Sequence, residues 1–170
     1  MGTGRPGRYL NTHGSGRTVS EFAVVHSTEG RFVKTQVKVN GKVQSKLRLA
    51  AGGHGQAGMN LLDKYGIEYH VVKVYPNGVR VGYVPGHKDK RKHSGIGQSW
   101  FPSSWSDKDI KRAGSHVASL KGNRHVPNGV IVYGTYKGVR VGVMRTNGKI
   151  STVFPDSDQT SVLNKRRKRK

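Results

Sequence analysis

The side chains in this sequence that suit acid–base chemistry at neutral pH are histidines, set among many cations and few carboxylates. Histidine occurs eight times, aspartate and glutamate nine times together, and cysteine not at all. Without cysteine there is no thiol nucleophile, iron–sulfur cluster or thiolate zinc site. His87 and His93, six positions apart, lack the further ligands a zinc ion needs. A two-metal phosphoryl-transfer centre needs several converging carboxylates, and few are free here. Asp107 and Asp109 suit a helix start, and Asp156 and Asp158 follow a strand and Pro155 as a solvated turn would. No Walker loop or dinucleotide fingerprint is present. The expectation is a site with no metal and no cofactor.

What histidines in a basic setting can do is cleave RNA through its own 2′-hydroxyl. That reaction needs a base for the hydroxyl, an acid for the departing 5′-oxygen, and fixed positive charge on the phosphoryl oxygens. Two imidazoles can divide the first two tasks near neutral pH, and a lysine or arginine can take the third. His87 follows Pro85-Gly86 in a loop dense with cations, and His70 lies on a strand of the adjoining hairpin. His54, in Gly52-Gly53-His54-Gly55, rivals His70. Lys88, Lys92 and Lys137 are the candidate cations.

The elements that must position these groups follow from pattern. Asn40-Gly41 between alternating stretches over 32–49 predicts a β-hairpin. A short helix is expected over 56–65, stopped by Gly66, and a second hairpin over 67–84 around Pro76-Asn77-Gly78. Residues 85–97 form a basic loop. Trp100-Phe101-Pro102 and Trp105 then lead, as core packing, into a helix capped by Ser106, with Ile110, Ala113, Val117 and Leu120 on its inner face. A meander closes the chain, with strands at 130–135, 139–143 and 150–154. The fold class is therefore α+β with antiparallel sheets. Residues 1–20 read as a flexible leader or linker, 21–163 as a single domain, and 164–170 as a basic tail.

With 31 lysines and arginines the formal charge is +22, and the six cations of the tail account for only part of it. Such a chain attracts polyanions, nucleic acid foremost. Composition alone also fits a non-catalytic RNA- or DNA-binding module. No apolar run approaches the ~18 residues of a membrane span.

The order of a Gly-His, a basic glycine-containing loop, SWFPSSWSDKDIKRAGSHVA at 99–118 and GTYKGVRVGVMRTNGKISTVFPD at 134–156 resembles the bacterial EndoU ribonuclease toxins. The resemblance covers residues 67–156. It implies an EndoU/barnase-like RNase fold and a metal-independent endoribonuclease that leaves a 2′,3′-cyclic phosphate. Transfer RNA is one target it implies. Domains of this kind are delivered from a producing bacterium into the cytoplasm of competing cells, and the producer holds a cognate immunity protein. At +22, an acidic immunity protein is expected. The resemblance implies that the family's two histidines map onto His70, with His54 open in its place, and His87, its lysine onto Lys88, with Lys92 and Lys137 open, and its Thr-x-Tyr onto Thr152-Val153-Phe154. The substrate-binding set is Phe154, Lys92, Lys137 and Ser151. Phe154 departs from the family's tyrosine, keeping a stacking face and losing a hydroxyl.

Overall fold

The computed structural model describes residues 13–14 and 16–163, and residues outside that range include the tail 164–170 and most of the expected leader. In chain order the elements are β1 (His13–Gly14), α1 (Glu21–Thr28), β2 (Arg31–Val39), β3 (Lys42–Ala51), α2 (Gln56–Lys64), β4 (His70–Val74) and β5 (Arg80–Tyr83). After a 3-10 turn at Lys90–Lys92 come β6 (Gln98–Trp100), α3 (Asp107–Ser119), β7 (Val126–Pro127), β8 (Val132–Tyr136), β9 (Val139–Thr146) and β10 (Lys149–Pro155). All pairing is antiparallel: β8-β9-β10, β4-β5-β6, the hairpin β2-β3, and the short pair β1-β7. The fold is α+β.

The core lies where α1 and α3 pack against the C-terminal meander. Val139, Val141, Val143 and Val153 of the sheet, Ile110, Ala113 and Val117 of α3, and Val79, Val81 and Phe101 are almost wholly buried. A smaller cluster of Leu49, Met59, Leu62, Val84 and Trp100 seats the root of the β2–β3 hairpin on α2. Ser106 and Asp109 form a capping box at the start of α3. Asn40 and Gly41 both take positive φ, 52° and 78°, as a two-residue hairpin turn requires.

Three elements differ from their sequence pattern. Leu120 does not lie on the buried face of α3: the helix ends at Ser119, and Leu120 turns extended and is 36% exposed. Gly114 and Ala118 complete the inner face, because Val19 and Val153 press against Gly114 closely enough to exclude a larger residue. Helix α1 carries no apolar stripe. Its inward residues are the small Ala23, Val24, Ser27 and Thr28, while Phe22 points outward, 84% exposed. Its start is set instead by Ser20, whose hydroxyl accepts the Ala23 N–H at 3.2 Å. Residues 16–20, expected as the end of the leader, are built in: Val19 is a core residue, and Arg145 donates through Nε to the Gly16 carbonyl at 2.8 Å.

Candidate active site

The site is assembled by a seam between the end of α1 and the turn after β3. Because β2 and β3 pair from Arg31↔Ala51 outward, with one shift of register between Arg31 and Phe32, the residues flanking the hairpin must meet. They do so through three successive backbone bonds: Gly53 N–H to His26 O (3.1 Å), His54 N–H to Ser27 O (2.6 Å) and Gly55 N–H to Thr28 O (3.1 Å). Gly52 has φ +68° and sits so near the His26 carbonyl that a Cβ there would overlap it. Only glycine satisfies both conditions. The seam brings His26 and His54 to one cleft, which is also lined by His87, Asp89, Arg91, Lys92, Tyr133, Thr152, Phe154 and Asp156.

His54 is 5% exposed. Its Nδ1–H donates to the Ser99 carbonyl at 2.8 Å, which leaves Nε2 as the basic nitrogen. The carbonyl is itself fixed, since Ser99 lies on β6 and its hydroxyl donates to the Pro155 carbonyl at 2.8 Å. Burial, and then the charge of Lys92, push the His54 pKa down to about 3. The imidazole is therefore neutral at pH 7, with a lone pair available for a proton.

His87 is held in the opposite tautomer. The Asp89 N–H donates to Nδ1 at 2.8 Å, so the ring proton sits on Nε2, and Nε2 is buried with no hydrogen-bond partner. Burial first, then Lys92, lower the His87 pKa to about 4. An unpaired buried donor beside a cleft suits an incoming acceptor oxygen. Lys92 reaches the same region from the 3-10 turn, and its ammonium donates to Gln98 Oε1 at 3.2 Å. Burial lowers its pKa. His26 is half-buried, and its pKa too is lowered, by burial and then by the charges of Arg31 and Lys92.

The far wall comes from the meander. Thr152 and Phe154 project from β10, with the Phe154 ring 5.8 Å from that of His54 and 6.3 Å from Tyr133. The ring fits only because Gly142 lies beneath it on β9. Both cleft carboxylates are already engaged. Asp89 pairs with Arg91 at 2.7 Å, and Asp156 pairs with Arg140 at 2.7 Å. Among the described residues, no group of three or more His, Asp or Glu side chains is placed to hold a metal ion.

Of the residues singled out from sequence, the cleft gathers His87, Lys92, Thr152 and Phe154, together with the rival His54. Four others lie off it. His70 is on the outer strand β4, exposed, in an ion pair with Glu68 at 2.5 Å and stacked on Tyr83. Lys88 is exposed and engaged through its backbone N–H with Leu49 O. Lys137 pairs with Asp109 at 2.9 Å. Ser151 bonds Met144 O and Thr146 on the neighbouring rim, where it shares a shallow depression with His26. Sequence reasoning missed His26. The signal was available in the Asn-Gly hairpin, whose closure forces residues just before 31 against those just after 51.

Three histidines and two cations thus line one cleft of a strongly basic α+β domain. Residues 25–157 match the model of the bacterial EndoU nucleases, and the chain belongs to that family. No curated protein and no solved structure matches it. Its class of reaction is accordingly endoribonucleolytic and its substrate RNA. No helix among the described residues is long and apolar enough to cross a membrane.

Proposed function

We propose that the protein is a metal-independent ribonuclease toxin that cuts RNA by transphosphorylation, with His54 in the place first given to His70. The observation that carries this reading is the pairing of a neutral His54, its Nε2 unprotonated, with Lys92 and the orphan His87 N–H in one cleft. His54 takes the proton of the 2′-hydroxyl. The 2′-oxygen attacks phosphorus, the P–O5′ bond breaks, and the 5′-oxygen receives a proton from His26, whose imidazole is exposed enough to exchange it with solvent. Lys92 and the His87 Nε2–H face the charge that builds on the phosphoryl oxygens. Thr152 and Phe154 hold the nucleotide, Phe154 by stacking. The products are a 2′,3′-cyclic phosphate and a 5′-hydroxyl.

Family membership and the charge of +22 support a toxin role, in which the domain is delivered into the cytoplasm of competing cells and cuts an RNA such as a transfer RNA. An acidic immunity protein covering residues 85–98 in the producing cell is the matching partner. The test is incubation with total RNA in excess EDTA, comparing the parent with His54→Ala, His87→Ala and His70→Ala. Discrete fragments with cyclic-phosphate ends, lost with the first and kept with the last, are expected. RNA bound tightly but left intact by the parent would replace the enzyme with a non-catalytic binding module.

A further inference from the structure

The β2–β3 hairpin is the part of the molecule that the cleft chemistry does not use. Its strands pair only with each other, over nine registered positions. That is about 30 Å of ribbon at the usual rise. Only the root is anchored, where Leu49 is buried and Phe32 packs on Tyr65 at 5.3 Å. From Lys38 to Lys46 every residue is exposed, including Val39 and Val43 at the tip.

The composition of the ribbon is one-sided. Arg31, Lys34, Lys38, Lys42, Lys46 and Arg48 are its charged residues, and it contains no aspartate or glutamate. None of these cations enters an ion pair among the described residues. The register separates them onto both faces. Lys34 and Lys38 share one face with Phe32, Leu47 and Leu49, while Lys42, Lys46 and Arg48 share the other with Val33, Val37 and Val39. A lone two-stranded ribbon is marginal in water, and six like charges weaken it further. Its root is bonded directly to the residues that carry His26 and His54, so whatever the ribbon holds is held at a fixed position relative to the cut.

We infer that this hairpin is an arm that grips the phosphate backbone of folded RNA beside the cleft. The substrate class is then RNA with a duplex segment flanking the cleavage site, not a bare single strand. Cations on both faces match a ribbon lying between two backbones, and duplex RNA is recognised mostly through its shape, phosphates and 2′-hydroxyls. The inference rests on the ribonuclease reading for its meaning, although binding by the arm is measurable without cleavage.

The test uses two variants, one with Lys34, Lys38, Lys42 and Lys46 all changed to Gln and one with all four changed to Arg. Affinity for a 2′-O-methyl stem–loop, which has no free 2′-hydroxyl, is measured by fluorescence anisotropy across a salt series. A 2′-O-methyl single strand of equal length and cleavage of an unmodified tetranucleotide complete the set. The Gln variant should bind the stem–loop at least tenfold more weakly, with its log–log salt slope shallower by about 3.6 if four duplex backbone contacts are lost. It should lose much less on the single strand and cut the tetranucleotide like the parent. The Arg variant should match the parent throughout. Unchanged stem–loop affinity and slope would overturn the inference and leave the arm to a protein partner. Equal losses on stem–loop and single strand would overturn the duplex assignment. A parent that binds the stem–loop through the arm but cuts no RNA would refute the ribonuclease reading and not the arm.

Discussion

Keeping His54 and His87 neutral at the base of the cleft makes the fold sensitive to mild acid. In the unfolded chain a histidine takes up its proton near pH 6.5. In the folded protein His54 refuses one until about pH 3, and His87 until about pH 4. Above 6.5 neither state is protonated and the two groups have no pH-dependent effect. Below 6.5 the unfolded chain binds more protons, so stability falls with pH, by about 1.4 kcal/mol per pH unit for each group. Together the two remove roughly 4 kcal/mol between about pH 6.5 and pH 5, a large share of a typical domain's stability. The carboxylates with lowered pKa, Asp89, Asp109 and Asp158, act in the same direction only as pH approaches their unfolded value of 3.8. The two effects are therefore separated along the pH axis. Urea unfolding at about pH 7, 6 and 5 measures the slope, and His54→Gln should flatten it by about 1.4 kcal/mol per unit. A parent stability that is level across this range, or a His54→Gln slope equal to the parent's, would refute the account of His54 as a buried neutral base.

Further outcomes follow from the same geometry. The pH profile of kcat/KM should hold its maximum below pH 6.5 and fall as pH rises past the lowered pKa of His26, since the acid must be protonated in the free enzyme; His26→Ala should abolish that limb. Gly52→Ala forces a left-handed residue, costing roughly 1–2 kcal/mol, and presses on the His26 carbonyl. Thermal unfolding should show at least that loss, and cleavage should fall with kcat more than with KM. Arg145 is buried and donates to the carbonyls of Gly16, Asn123 and Ala118. Arg145→Met leaves these acceptors unpaired and should cost roughly 3 kcal/mol or more in denaturant unfolding. Phe154→Ala should raise KM at least fivefold, on the basis of ~1–3 kcal/mol for a lost base stack.

Where side-chain pattern and turn chemistry agree, the elements are legible in the sequence. Asn40-Gly41, the Ser106–Asp109 capping box and the alternating valines of β9 each appear at their expected places. The seam could not be read in the same way. Helix α1 is held by small residues and a serine cap, so no periodicity announces it, and His26 stood in an unassigned stretch. His70 lies apart from the cleft because β4 is an outer edge strand with both faces exposed, which its residue pattern does not announce. His87 was visible through its cationic loop, but its tautomer depends on one backbone N–H that only the folded turn supplies.

The three backbone bonds that close the hairpin at its root have a bearing on how such a protein diversifies. They tie His26 to His54 through main-chain atoms and one obligatory glycine, so the separation of the two imidazoles in space does not depend on how many residues lie between them in the chain. The segment 31–51 is thus a cassette. Its outer part can be lengthened, shortened or recharged with the floor of the cleft left in place.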